Sequence, residues 1–545
     1  MAEPDHVRVD QTSGGLSHRQ VLVILSGLML GMLLAALDQT IVATALPTIV
    51  GQLHGLDRLS WVVAAYLLTT TLSTPLYGKI SDLYGRKRIF QIAIVVFLVG
   101  SALSGLARDM DQLIAFRAVQ GLGGGGLMSL AMAIVGDIVS PRERGRYQGY
   151  FGAVFALASI GGPLAGGVLT DHLSWRWIFY INLPVGALAL VITSAVLRLP
   201  LPARAVSIDY AGVALAAAAV TPVILVSVWA GTTYAWGSPT IVALLVVAAV
   251  STAALVVRER RAREPIFPPH VFGQPVVRAA LLTTFFVTAA MFAVIIYLPL
   301  YLQLVDGDSA TRSGVLLLPL MGGMLTTSIV SGRLVTRFGR YKVFPVAGTA
   351  LMALGMWLFT HLGTTTSLAV TSTYMVVFGV GMGMTLQIVV VAVQNAVDRR
   401  DLGSATSSIS FFRNIGAACG TAVLGAVLVS RSGYWLPRLV PKGTRLKLST
   451  SFTVTPRQLR ALPPDVRHGI VESLVRSLHV VFEVGIPVAA LGFVGALLLR
   501  ELPLQHAPAP PGPGAGGAEG TAVPAPAGPA VAEPVGAAGP APGPG

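Results

Sequence analysis

The chain has 545 residues, of which 54% are hydrophobic and 11% charged, and its mean hydropathy is +0.72. These values exclude an ordinary soluble globular domain and indicate an integral membrane protein. The formal net charge is +14, but no basic soluble domain carries that charge, so the composition also argues against a nucleic-acid partner.

Apolar runs long enough to cross a bilayer as helices follow one another from Val21 to Leu499. Fourteen are present, and they predict spans at 21–44, 60–80, 89–107, 114–138, 149–170, 177–197, 208–229, 239–257, 279–303, 314–332, 343–361, 368–393, 404–428 and 479–499. The first run is too long, and is followed by too many others, to be a cleaved signal peptide. The predicted fold class is therefore an all-α polytopic membrane protein.

The first and fourth spans each contain a charged residue, Asp38 and Arg117. A charge near the centre of a span costs about 2.5–3.5 kcal/mol and needs a partner or water. At 1.5 Å per residue, Asp38 lies roughly 9 Å and Arg117 roughly 5–8 Å from the outer end of its span. The similar depths predict that the two pair in at least one conformation, although a permanent structural salt bridge is an alternative. We interpret Asp38 as a proton carrier or cation contact with polar neighbours Gln39 and Thr40.

The connection after the second span, GKISDLYGRKR at 78–88, recurs after the tenth span as GRLVTRFGRYK at 332–342. Both copies keep the first glycine, the second glycine and the flanking basic residues. In the first copy, Gly78 and Gly85 permit a tight turn between adjacent helices. The repeat divides the chain into two similar halves, which is how many secondary transporters are built.

The first copy of this connection also carries an acid, Asp82. Its position suits compensation of a helix N-terminus or of a neighbouring basic group. Asp137, at the inner end of the fourth span, could pair with Arg86. In the second copy Thr336 replaces the acid, so we expect the ionic contacts to be asymmetric between the halves.

Glycine-rich stretches in the fourth and fifth spans, RAVQGLGGG at 117–125 and GPLAGG at 162–167, indicate close helix packing. Neither follows a strand, so neither is a phosphate-binding loop. In the fifth span the proline removes a backbone donor and favours a bend that could seal or pivot. The residues concerned are Gly162, Pro163, Gly166 and Gly167.

Basic residues predict the orientation of the spans. With both termini cytoplasmic, most Lys and Arg residues fall in the inner connections, and few fall in the short outer loops. The exception is the long outer segment 429–478. Within it, apolar residues at helical spacing after Pro464 predict an amphipathic helix leading into the last span, which could either cap a cavity or lie on the membrane surface.

The second half of the chain contains two further charges in apolar runs, Arg413 at mid-depth and Glu483 about 6 Å inside the outer end of the last span. Arg413 could serve structure or coupling. Glu483 could snorkel to the interface or contact a cationic compound. A substrate cavity could be lined by these two charges together with polar, aromatic and methionine side chains. The candidates are Gln39, Thr40, Tyr66, Tyr297, Met384, Phe411, Arg413 and Glu483.

Four motifs together make the chain resemble the major facilitator superfamily, specifically its fourteen-helix drug:proton antiporter family. They are LDQTIVATALP (37–47), GKISDLYGRKR (78–88), RAVQGLGGG (117–125) and GPLAGG (162–167). The thirteenth span, FFRNIGAACGTAVLGAV (411–427), is also similar to that family. Departures from the family pattern are Ala43 for asparagine, Ile80 for leucine and Ala158 for a leading glycine.

The repeat predicts a 6+2+6 arrangement of helices, and the resemblance implies the same arrangement. The corresponding regions are a cytoplasmic segment 1–20, a six-helix bundle 21–197, two extra helices within 198–277, a second bundle 278–503 and a disordered tail 504–545. It further implies that Gly78, Asp82, Gly85, Arg86 and Asp137 form a conformational latch and that 162–167 is the antiporter motif.

The resulting hypothesis is a proton-coupled exporter of hydrophobic or cationic drugs in the cell membrane, which acts as a monomer among membrane lipids. Export of one metabolite, antibiotic, lipid or siderophore is an alternative, and a non-transporting receptor is a remote one. No GxxxxGK[ST] loop occurs, so ATP is not the direct energy source. His172 and His479 lack partners at metal-ligand spacing. We therefore expect no enzyme activity, no metal and no cofactor.

Overall fold

A computed structural model describes residues 18–53, 59–139, 143–197, 209–231, 233–262, 265–305, 310–398, 401–441, 459, 462–504 and 543. The tail predicted at 504–545 lies almost wholly outside the described residues, as does most of the segment 1–20. The described helices all belong to one compact unit, Gly15–Ala507.

The first half of the chain forms seven helices in the described residues. They are α1 (His18–Leu53), α2 (Leu59–Tyr84), α3 (Arg86–Leu106), α4 (Met110–Ile138), α5 (Arg144–His172), α6 (Trp177–Tyr180) and α7 (Asn182–Val196). The inserted pair follows as α8 (Tyr210–Trp229) and α9 (Pro239–Arg261). The sixth predicted span is thus divided into a single turn, α6, and a longer helix, α7.

The second half follows a short helix, α10 (Pro269–Gly273). Its remaining helices are α11 (Pro275–Leu304), α12 (Ala310–Leu316), α13 (Leu318–Phe338), α14 (Val343–Phe359), α15 (Leu368–Ala396), α16 (Leu402–Leu439) and α17 (Pro464–Leu498). A helix is present at each of the fourteen predicted positions, and the all-helical fold class is confirmed.

Twelve helices of the described residues are long and apolar enough to cross a membrane. Two helices at predicted spans fall outside that set. The 17-residue helix α14 is shorter than the others. Helix α2 is rich in Ser and Thr and ends with Lys79 and Asp82, which lower its hydropathy. The number of helices that cross the membrane therefore remains a prediction.

The two copies of the repeated connection have the same backbone geometry at their second glycine. Gly85 has φ 95° and Gly339 has φ 71°, a left-handed region that disfavours side chains with a Cβ. Each glycine lets the chain turn sharply into the next helix, as the repeat predicts. We call this end of the helix bundle, which also carries the start of α5 and the start of α16, the basic end.

The segment 429–478 differs from the predicted loop. Helix α16 continues to Leu439 and α17 begins at Pro464, so the described parts of this segment are mostly helical. A Cβ at Gly469 would collide with the carbonyl of Leu439, which shows how closely the two helices pack. Apolar residues of α17 after Pro464 are buried in the core of the second half.

The inserted pair is tied together at the basic end by an ion pair. Asp209 caps α8 by accepting from the backbone N–H of Gly212 and accepts three hydrogen bonds from the guanidinium of Arg258, at 2.9–3.3 Å. Buried Glu259 accepts from the backbone N–H of Phe267 at 3.0 Å, which joins α9 to the chain leading into the second half.

Candidate functional site

The centre of the first half is a buried polar cluster that contains Asp38 and Arg117, which are 0% and 1% exposed. A guanidinium nitrogen of Arg117 donates to Oδ2 of Asp38 at 2.5 Å and to Oε1 of Gln120 at 2.8 Å. Gln120 donates from Nε2 to Oδ1 of Asp38 at 2.8 Å. Both carboxylate oxygens of Asp38 are therefore satisfied in this conformation, and the predicted proximity of Asp38 and Arg117 is present in the structure.

A further layer of polar side chains surrounds this cluster. Gln120 also donates to the hydroxyl of Ser101 at 3.2 Å, and Asn182 of α7 donates to the same hydroxyl at 3.0 Å. The guanidinium carbon of Arg117 lies 4.2 Å from the centre of the Tyr66 ring, a cation–π contact. The cluster thus joins α1, α2, α3, α4 and α7.

Gln120, Ser101 and Asn182 are not among the site residues predicted from the sequence. Gln120 follows Arg117 by three positions, which places both on one face of α4, and that spacing was the available signal. Ser101 and Asn182 are single neutral polar residues in apolar helices and resemble ordinary packing residues in sequence.

Pairing lowers the cost of placing these charges inside the membrane. An isolated charge at the centre of a span costs about 2.5–3.5 kcal/mol, whereas a pair with satisfied hydrogen bonds has no net charge to desolvate. Separation of Asp38 from Arg117 would leave two unpaired charges, and protonation of Asp38 would leave Arg117 as a single charge. Either event would change the free-energy cost of burying the cluster. The arrangement can therefore respond to a proton, to water or to a cation that enters the cluster.

At the basic end, Asp82 lies between the two halves. It forms an ion pair with Arg86 at 2.9 Å and accepts from the backbone N–H of Ser404 at 3.1 Å, at the N-terminus of α16. Arg86 forms a second ion pair with Asp137. The contacts predicted for Asp82 and Asp137 are thus brought together in one network. Asp82 follows the apolar span 60–80, and burial raises its pKa to about 6 against the opposing effect of Arg86.

The backbones of the two halves approach closely at this end because four glycines face one another in two pairs. A Cβ at Gly403 would collide with the carboxylate of Asp82, and one at Gly78 would collide with Ser407. On the other side of the bundle, a Cβ at Gly332 would collide with the carbonyl of Gly145. The pairs α2 with α16 and α5 with α13 are therefore related contacts in the two halves.

The second contact uses a different polar group, Arg144, whereas Thr336, which stands where the first copy has its acid, donates to the carbonyl of Gly332 at 3.0 Å. Buried Arg144 donates to the carbonyl of Gln394 at 2.7 Å and to the carbonyl of Gly136 at 2.5 Å. Gln394 in turn donates to the carbonyl of Met132 at 3.0 Å. Arg144 was not singled out in the sequence, where it is one of several basic loop residues.

The glycine-rich stretch 162–167 lies inside α5, which runs through it as a helix. A Cβ at Gly162 would collide with the hydroxyl of Thr40, which itself bonds the carbonyl of Ala158 at 2.9 Å. Around Gly167, in contrast, there is open space. Close packing is therefore present at the start of the motif, against α1, and absent at its end.

The remaining cavity candidates are distributed over the molecule. Tyr297 is buried and donates to the carbonyl of Thr421 at 3.2 Å. Phe411 packs with Phe267 against the inserted pair. Gln39 and Met384 are half-buried, and Glu483 is exposed. Of these candidates, only Gln39, Thr40 and Tyr66 belong to α1 and α2 beside the Asp38 cluster.

Arg413 of α16 contacts the other half of the protein. One guanidinium nitrogen donates to the sulfur of Met128 on α4 and, at 3.5 Å, to the hydroxyl of Ser410. Among the described residues, no carboxylate lies within ion-pair distance of it. Nor does any group of three or more His, Cys, Asp and Glu side chains there suit a metal ion.

Comparisons with known proteins agree with this architecture. The sequence matches the family model of the Major Facilitator Superfamily over residues 28–421. It is 44% identical over 483 residues to an uncharacterized MFS-type transporter of Mycobacterium tuberculosis, covering 88% of this chain and 70% of that protein. It is 37% identical over 517 residues to the multidrug transporter protein MdtP of Bacillus subtilis, covering 90% of this chain and 95% of that protein.

Among solved structures, the proton:xylose symporter XylE is similar with a TM-score of 0.58. The match covers 89% of this chain and 96% of that chain at 16% sequence identity. At this identity the likeness concerns the fold alone.

Proposed function

Because the chain belongs to the Major Facilitator Superfamily, we propose that it exports hydrophobic or cationic drugs and toxic compounds in exchange for protons. Family membership makes it a multi-pass transporter of small molecules in the cell membrane and not an enzyme. The name of the Bacillus subtilis relative, a multidrug transporter, supports the class of substrate. The observation that carries the proposal is the buried carboxylate of Asp38, held by Arg117 and Gln120.

Asp38 is suited to couple a proton to a substrate. Protonation from the outer side would neutralise it, release Arg117 from the ion pair and favour departure of a bound cation. Deprotonation toward the inner side would restore the anion for the next substrate. Gln120 would keep the carboxyl oriented in both states because its amide donates to Oδ1.

The latch contacts would control which side the site faces. Asp82 and Arg144 join the halves at the basic end, which we propose is cytoplasmic. A transporter of this kind exposes a midplane site alternately by rocking one half against the other. The desolvation that raises the pKa of Asp82 acts against the ion pair of Asp82 with Arg86.

We also propose that all fourteen predicted spans cross the membrane, in the order 6+2+6 with both termini inside. The inserted pair gives a direct test in a Cys419→Ser background. Gly237→Cys between α8 and α9 should react with an impermeant maleimide from outside, whereas Ala262→Cys after α9 should react only in opened cells. Equal outside reactivity of both would contradict the arrangement.

The function is tested by a compound screen in a strain that lacks its own pumps, comparing the intact protein with Asp38→Asn at matched expression. We expect the intact protein to confer resistance and Asp38→Asn to abolish uphill export and substrate-induced proton movement. Asp38→Glu, which keeps a titrating group, should retain partial activity. Exposed Asp465 at the start of α17 gives the matched control, Asp465→Asn, which should behave as the intact protein.

Drug-coupled proton movement of normal size in energised vesicles of Asp38→Asn would remove Asp38 from the mechanism. Resistance to no compound in the screen, with the protein present in the membrane, would argue instead for export of a single metabolite.

A further inference from the structure

The position of Arg413 within the membrane follows from two helices. On α16, Arg413 is eleven residues after Leu402, and on α4 its contact Met128 is ten residues before Ile138. At 1.5 Å per residue, both counts place the guanidinium roughly 15 Å from the basic end of the bundle. Because the hydrocarbon core is about 30 Å thick, the guanidinium of Arg413 lies near its midplane.

The same contact places Arg413 between the two halves, because α4 belongs to the first and α16 to the second. Substrate sites of secondary transporters lie near the midplane at the interface of the repeats. Arg413 is half-buried, as expected for a side chain that lines a space between helices.

Its surroundings do not neutralise it. Among the described residues, its hydrogen-bond partners are a thioether and a hydroxyl, and a thioether is a weak acceptor. Asp38 already pairs with Arg117, which is eleven residues from Met128 on α4 and therefore roughly 16 Å away along that helix. An arginine within the membrane normally pairs with an acid or with carbonyls, and among the described residues Arg413 hydrogen-bonds to neither.

The geometry points to Arg413 as an anion subsite, which binds a carboxylate, sulfonate or phosphate group of an otherwise apolar substrate. A guanidinium is the preferred protein group for such oxyanions because it donates two parallel hydrogen bonds. Thioether and apolar side chains around it suit the apolar body of the same molecule. This inference rests on the proposed function as an exporter, and it adds amphipathic acids and zwitterions to the proposed substrates.

The test uses two dyes that differ by one group, anilinonaphthalene sulfonate and its uncharged parent N-phenylnaphthylamine. Binding of each to the purified protein in lipid nanodiscs is measured, with empty nanodiscs subtracted. We expect Arg413→Gln to weaken binding of the sulfonate by about tenfold or more and to leave binding of the parent dye within about twofold. Arg413→Lys should retain part of the preference because it keeps the charge.

Met128→Leu is the matched control, since it removes the sulfur contact and keeps the guanidinium. The Met128→Leu variant should prefer the sulfonate dye over the parent dye to the same extent as the unmodified protein. Equal sulfonate binding by Arg413→Gln and the unmodified protein would overturn the inference, as would the absence of any preference in the unmodified protein. A third outcome is that chloride buffer, unlike gluconate buffer, abolishes binding of the sulfonate dye while the two dyes show no difference in affinity. That outcome would assign the site to an inorganic anion and would also overturn the inference.

Export of the parent dye by proteoliposomes separates this inference from the proposed function. Uphill export of N-phenylnaphthylamine without a sulfonate preference would leave the proposed function standing and reject the anion subsite. Sulfonate binding that depends on Arg413, without uphill export of either dye, would support the subsite and count against the exporter.

Discussion

At the scale of single residues, Gln120 has the largest unassigned role in the Asp38 cluster. Its amide group contacts Asp38, Arg117 and Ser101. An apolar replacement would leave one oxygen of Asp38 and the hydroxyl of Ser101 without this partner inside the bundle. A buried polar group that loses its partner costs about 1–3 kcal/mol.

We therefore expect Gln120→Leu to lower the stability of the protein by about 1–3 kcal/mol and to reduce uphill export more than downhill efflux. Thermal unfolding and the two transport rates would be compared with Gln91→Leu. Gln91 lies near the surface of α3 with one hydrogen bond, to Ser194, so its loss should change neither quantity. Uphill export at the normal rate in Gln120→Leu would show that Arg117 alone orients Asp38.

Single residues also show where sequence reasoning is sufficient. Asp38 and Arg117 are conspicuous because charges in apolar runs are costly, and helix geometry alone predicts their similar depth. Their companions Ser101 and Asn182 are neutral, so nothing in the sequence distinguishes them from packing residues. The roles assigned to Asp38, Asp82 and the other site residues remain predictions, whereas their contacts are features of the structure.

At the scale of elements, the contact between α2 and α16 is the most sensitive to a single added carbon. Gly403→Ala places a methyl group against the carboxylate of Asp82. Overpacking costs about 1–3 kcal/mol, and each 1.4 kcal/mol changes an equilibrium between two conformations about tenfold. We expect turnover in proteoliposomes to fall about tenfold, with little change in substrate affinity, because the closed basic end is disfavoured.

Gly322→Ala on α13 is the control for this experiment, since a Cβ at Gly322 meets open space. It should transport at the normal rate. An equal loss of affinity and turnover in Gly403→Ala would instead indicate a general folding defect. Retained turnover would show that the basic end closes without this contact.

Elements also show that a predicted membrane span and a helix need not have the same ends. The hydropathy signal of the thirteenth span ends near residue 428 because Arg431 and Arg438 follow, but α16 continues to Leu439 and passes through Pro437. Charge distribution marks where a helix leaves the hydrocarbon, and it does not mark where the helix ends. The helix predicted after Pro464 is present because its apolar residues repeat at helical spacing.

At the scale of the whole molecule, the end of α17 is joined to the repeated connection of the second half. Glu501 accepts from the backbone N–H of Tyr341 at 2.7 Å, and the Tyr341 hydroxyl donates to the carbonyl of Arg500 at 2.6 Å. It also accepts from the backbone N–H of Leu502 at 3.0 Å. Burial raises the pKa of Tyr341 to about 12, so this hydroxyl remains a donor at neutral pH.

These contacts define how much of the C-terminus the protein needs. Truncation after Gln505 should leave transport intact, because the Pro, Ala and Gly composition beyond it cannot form a core. Truncation after Leu499 should lower stability by about 3 kcal/mol, since it removes Glu501 and the partners of Tyr341. Transport and thermal unfolding of both truncations would be measured at equal membrane abundance. Lost transport in the longer form would show a role for the tail.

The midplane position of Arg413 has a consequence for the membrane potential. A unit charge that crosses the whole membrane gains or loses about 2.3 kcal/mol per 100 mV, so an anion that leaves Arg413 for the outside gains roughly half of that. With the cell interior negative, the voltage pulls such an anion outward and opposes the exit of a cation from Asp38. With one proton entering per substrate, export of a monovalent cation moves no net charge across the membrane, whereas export of an anion moves two charges. A potassium ionophore that collapses the potential should therefore slow export of the sulfonate dye and leave export of a monovalent cationic dye nearly unchanged.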